Sequence, residues 1–132
     1  MTVYKNIPYN IKGSRRRGGM AMLISHNEYK ERLRKTKQRM EQQGIEVLLI
    51  TNPANMNYLS GYDGWSFYVD QMLVVIIDEE QPLWIGRFQD ANAAKVTTWL
   101  DDENIIPYGD QYIHSTERHP MEFVGDILIQ FG

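Results

Sequence analysis

The sequence predicts a layered α/β domain, and three observations predict it. Two short, nearly continuous apolar runs, residues 45–51 and 72–77, suit strands covered on both faces. Segments with helical spacing and helix-end signals stand between and around such runs, the pattern of helices packed on a largely buried sheet. The chain has 132 residues, 42% of them hydrophobic, enough for one core and one domain.

The elements follow in order. Ser25 and Glu28 form an S-x-x-E capping box at the start of a first helix. Tyr29, Leu33 and Met40 then recur at helical spacing between charged residues. Gly44 suits the position just past the helix end, where positive φ is needed. Residues 45–51 form the first strand. Asn52-Pro53-Ala54-Asn55 reads as a turn. Residues 56–68 read as an aromatic loop, with Gly61 and Gly64 supplying positive-φ bends. Residues 72–77 form the second strand. A turn over 78–82 joins it to a third strand at 83–85, predicting a hairpin. Asp90 is placed to cap a second helix that runs to about Leu100. Residues 104–108 form a fourth strand, with Pro107 marking an edge. Pro120 opens a last helix through Leu128. The predicted order is α-β-β-β-α-β-α. Residues 1–24 show no period and read as a flexible basic arm, so the domain is expected to occupy 25–132.

Charge is unevenly placed. Lys5, Lys12, Arg15, Arg16 and Arg17 stand in the first 22 residues with no acidic residue among them. The remaining nine basic and all 17 acidic residues give the body a charge of −8. An acidic body is a poor partner for nucleic acid, and three arginines are too short a block to reverse that. No apolar run approaches the roughly 20 residues that span a bilayer. The start carries no apolar signal core, and cysteine is absent. The expectation is a cytoplasmic protein without nucleic-acid or membrane partners.

Chemistry-bearing motifs are scarce. His114 and His119 are five apart and do not share a helix turn, and no H-x-x-x-H occurs, which speaks against a zinc site. No G-x-S-x-G elbow or phosphate-binding glycine loop is present. Asp63, Asp70 and Asp78 bracket the second strand, but Asp78-Glu79-Glu80 reads as a solvated turn rather than part of a two-metal site. No catalytic and no metal-binding residue is therefore assigned. The dense feature is the aromatic segment 55–70. Tyrosine and tryptophan join apolar area to a polar handle, which suits a binding surface. The alternative for the same segment is a lid whose rings pack on the sheet.

The string Asn55-Met56-Asn57-Tyr58-Leu59-Ser60-Gly61-Tyr62 resembles the passage from first to second strand in the creatinase/prolidase amino-terminal domain family. The continuation Asp63-Gly64-Trp65-Ser66-Phe67-Tyr68-Val69-Asp70 is similar to the ectoine hydrolases of that family. So are the stretches 86–93 and 112–121. The resemblance spans about residues 26–131.

That resemblance implies a three-layer α/β/α, ribonuclease-H-like fold with a mixed sheet. It implies a non-catalytic domain that shapes the substrate site and dimer of a creatinase- or Xaa-Pro-dipeptidase-like hydrolase. The catalytic "pita-bread" domain is absent from these residues and is the expected carboxy-terminal partner, with a homodimer mate and a small-molecule substrate as the others. No cofactor is expected in this chain, and a divalent metal pair of the parent would belong to the other domain. Phe67 falls where a creatinase-like enzyme offers an aromatic ring to the partner subunit's substrate. Trp65, Asp63 and Tyr68 are its neighbours. Arg87 offers a guanidinium to a carboxylate, either of a ligand or of the chain itself. The alternative function is a stand-alone binding or dimerisation module that uses the loop 62–68.

Overall fold

The computed structural model describes residues 3–4, 24–64, 69–113 and 115–131. Its elements are β1 (Val3–Tyr4), α1 (His26–Gln42), β2 (Val47–Ile50), α2 (Pro53–Ser60), β3 (Met72–Ile76), β4 (Leu83–Arg87), α3 (Ala91–Thr97), β5 (Ile105–Tyr108) and α4 (Pro120–Gln130). The strands form one mixed sheet in the order β1-β2-β3-β4-β5. β3 runs antiparallel to β2 and β4, whereas β1 pairs with β2 and β5 with β4 in parallel. Every strand except β3 therefore points its carboxyl end to the same rim.

The period-2 alternation of the strands divides the apolar residues between two cores. Leu48 and Ile50, Leu73 and Val75, and Trp84 face α1, α2 and α3, meeting Leu33, Met56 and Ala94. Leu49, Val74 and Ile85 face the other way and meet Val124 of α4. The result is the expected α/β/α layering. All five residues of β3 are buried, as a strand covered on both faces requires.

Local signals explain most boundaries. The Ser25 hydroxyl accepts from the Glu28 N–H at 3.3 Å, half of the predicted capping box. The Glu28 carboxylate instead turns forward to Arg32 Nε, also at 3.3 Å. At the other end Gly44 has φ +67, and the Gly44 and Ile45 N–H groups bond back to Glu41 and Met40 carbonyls. This is the glycine-terminated helix stop anticipated for α1.

Four expectations are corrected. Residues 52–55 are not a free-standing turn but the start of α2. The Asn52 side chain accepts from Ala54 and Asn55 N–H groups, Pro53 fills the first turn, and Gly61 closes the helix at φ +83. The same residue types serve turns and helix starts, and buried Met56 and Leu59 decide for the helix. Gly64 does not have positive φ; its missing side chain leaves room for the Tyr62 hydroxyl. Asp90 makes no side-chain cap bond, because a 3₁₀ turn over Phe88–Asp90 leads into α3. Thr98 ends α3 in extended backbone, short of Leu100. Apart from these four, Val3–Tyr4 adds a strand beside β2 within the segment expected to be an arm. Pro107 does lie on an edge strand, β5.

The candidate site at the carboxyl rim of the sheet

The rim that collects the carboxyl ends of β2, β4 and β5 also receives the start of β3 and of α4. In open α/β sheets this is the end at which ligands bind. The aromatic segment enters and leaves it through two fixed points. On the entry side Tyr62 is buried, and its hydroxyl donates to Gln71 Oε1 at 2.8 Å. Burial, reinforced by the Asp90 carboxylate, pushes that hydroxyl's pKa well up, so it stays protonated as the donor. On the exit side the Asp70 carbonyl accepts from the Tyr108 hydroxyl, whose pKa burial pushes up to about 12. The segment between residues 62 and 71 is thus tied at its base to β3 and β5.

Asp63, the first of the singled-out residues, is exposed beside this anchor. Trp65, Phe67 and Tyr68 lie outside the described residues. Tyr58 and Tyr62 of the same aromatic segment face inward, Tyr62 into the core and Tyr58 over Arg32. Arg87 ends β4, half-buried, with Nε 3.5 Å from Asp110 Oδ1 just past β5. A carboxylate of the chain itself thus stands beside the guanidinium.

Sequence reading missed two groups. Asp70 Oδ2 stands 3.6 Å from His119 Nε2, and His119 is the cap of α4, accepting the Met121 N–H on Nδ1 at 3.1 Å. That bond leaves Nε2 as the ring nitrogen that faces Asp70. The two residues are 49 apart in sequence and meet only through the strand order. A cleft of about 420 Å³ opens on one side of the pair, walled by Leu49, Val69 and Met72. A smaller one of about 190 Å³ lies on the other side, walled by Tyr108, Tyr112 and Ile113. Among the described residues no three His, Asp or Glu side chains gather into a group that would hold a metal ion, so the residues present do not fit one. No helix among them is long and apolar enough to cross a membrane.

Comparison with known proteins agrees with this architecture. The chain is 52% identical over 107 residues to an uncharacterized hydrolase/peptidase of Sinorhizobium fredii, covering 81% of this chain and 27% of that protein. It is 41% identical over 110 residues to the ectoine hydrolase of Halomonas elongata, covering 83% and 27%. The chain thus spans about 27% of the length of these relatives. The N-terminal domain of Xaa-Pro dipeptidase from Lactobacillus brevis superposes with a TM-score of 0.57 at 20% identity, covering 75% of this chain and 67% of that one. Residues 32–130 match the Creatinase/Prolidase N-terminal domain, and the chain belongs to that family.

Proposed function

We propose that this chain is the non-catalytic amino-terminal domain of a hydrolase of the ectoine hydrolase and Xaa-Pro dipeptidase kind, and that it shapes the substrate site and the dimer of that enzyme. The observation that carries this reading is the 41% identity to an ectoine hydrolase, over residues that make up only 27% of that enzyme. The chemistry of such an enzyme needs an activated water or nucleophile with acid and base partners. Among the described residues the rim holds one carboxylate–imidazole pair and one ion pair. The reaction, and any divalent metal pair that serves it, is assigned to the remainder of the parent. Trp65, Phe67, Tyr68, Asp63 and Arg87 are the groups this domain presents to substrate.

A domain exchange tests the reading. This chain replaces the matching segment of the Halomonas elongata ectoine hydrolase, and ectoine hydrolysis is followed. The hybrid is expected to turn over ectoine, while the isolated chain turns over neither ectoine, creatine nor Xaa-Pro dipeptides. In the hybrid, Phe67→Ala is expected to lower kcat/KM about tenfold, or about 1.4 kcal/mol, with the melting temperature held. Turnover by the isolated chain that one of its own substitutions abolishes would overturn the non-catalytic reading. Normal kinetics per folded molecule with a large loss of stability would make Phe67 a core ring instead.

A further inference from the structure

The two clefts at the rim share three residues, Val69, Asp70 and His119, so they are lobes of one depression with the Asp70–His119 pair at its waist. The larger lobe has apolar walls and a volume of about 420 Å³, within the range of sites that take small organic molecules. In the smaller lobe the Tyr108 and Tyr112 rings meet edge to face, their centroids 6.1 Å apart.

One carboxylate stands at the waist. His119 uses Nδ1 to accept the Met121 N–H, with Nε2 3.6 Å from Asp70 Oδ2. Among the described residues no lysine or arginine lines either lobe. Arg87, the cation at the end of the adjacent β4, stands 3.5 Å from Asp110. The described lining therefore holds one carboxylate between an apolar wall and an aromatic wall. Aromatic faces attract cations, and a carboxylate forms its strongest hydrogen bonds to charged N–H donors. Both features select the same ligand chemistry. Asp70 is also held in place from behind, because its own carbonyl accepts from Tyr108, so presenting the carboxylate costs little additional ordering.

We propose that Asp70, at the waist of this two-lobed cleft, anchors a binding site for a small organic cation whose charged N–H group meets the carboxylate and whose apolar body lies along Leu49 and Met72.

Benzamidinium and its neutral counterpart benzamide test it, because they share one apolar body and differ in charge. Amide resonances of the purified chain are followed during titration with each. Benzamidinium is expected to shift Thr51, Asp70, His119 and Met121 saturably, and benzamide to leave them unmoved. Asp70→Asn removes the charge but keeps the backbone carbonyl that Tyr108 binds. It is expected to weaken benzamidinium binding at least about tenfold with an unchanged melting temperature. Saturable shifts of equal size from benzamide would overturn the proposal, as would no saturable benzamidinium shift at these four residues. Undiminished binding by Asp70→Asn would do the same, and the two-probe comparison on the unmodified chain decides the matter even where that variant folds poorly.

Discussion

Arg32 of α1 stacks on Tyr58 of α2, its guanidinium carbon 4.4 Å from the ring centroid, while Nη1 donates to the Tyr58 carbonyl at 2.9 Å. The same guanidinium lies 5.5 Å from the Tyr29 ring. One side chain thus fastens the short helix that leads into the aromatic segment to the long helix behind it. Its arm is largely buried, so the contact is shielded from the screening that weakens surface pairs.

Arg32→Ala is expected to destabilise the fold by about 1–2 kcal/mol, from the lost ring contact and the unbonded carbonyl. Arg32→Lys should recover less than half, since an ammonium cannot stack flat and reach the carbonyl together. Urea unfolding of the three proteins measures this; equal stability of the lysine form would show that charge alone matters.

Trp99 provides the second fastening. Its indole N–H donates to the Leu59 carbonyl at 2.8 Å, and its ring stacks with Tyr29 at a centroid distance of 6.1 Å. Trp99→Phe keeps most of the ring but leaves that carbonyl unpaired in the core, at an expected cost of about 1–3 kcal/mol. Denaturant midpoints are the readout, and a change below a few tenths would mean that the carbonyl finds another donor.

Two glycines should respond oppositely to alanine. Gly61 has φ +83, so Gly61→Ala forces a left-handed alanine and should cost about 1–2 kcal/mol. Gly125 lies inside α4, and an added methyl there meets nothing within 4 Å. Gly125→Ala should therefore stabilise by about 0.4–1 kcal/mol through the unfolded chain and helix propensity. Thermal melts of both variants give the two signs; the same sign for both would refute the backbone argument.

Alkaline pH should unfold the domain through its buried tyrosines. Both Tyr62 and Tyr108 have folded pKa values raised above the ordinary 10, Tyr108 to about 12. Below pH 10 both states keep these protons, and the stabilisation is fully present. Above pH 10 the unfolded chain releases them first, so stability falls by up to about 1.4 kcal/mol per pH unit for each retained proton. For Tyr108 that loss runs from pH 10 to about 12. Tyr108→Phe should flatten the decline over this window, as seen in denaturant midpoints at stepped pH. An unchanged slope would remove Tyr108 from the explanation.

The layered fold was legible because its signals are local. The runs at 45–51 and 72–77, the Ser25 cap and the Gly44 stop each act within a few residues, and each lies where expected. Asn52-Pro53 was misread because the same two residue types open turns and helices, and only the burial of Met56 and Leu59 separates them. Arg87 was legible as a partner for a carboxylate, but not Asp110 as its neighbour, which depends on β4 and β5 lying side by side. Asp70 and His119 were passed over for the same reason. An exposed aspartate and a histidine 49 residues later have no common period, and only the strand order joins them.

The hydrogen bond from Tyr62 to Gln71 closes the aromatic segment at its root, and this makes the segment a separable part. Stretching a loop whose ends are already fixed costs only about 0.6 kcal/mol for each doubling of length. Between Gly64 and Asp70 the chain can lengthen, shorten or change its side chains while the sheet keeps its register. Evolution could thus retune what the rim recognises without rebuilding the scaffold beneath it, and an engineer can graft a foreign recognition segment between positions 64 and 70.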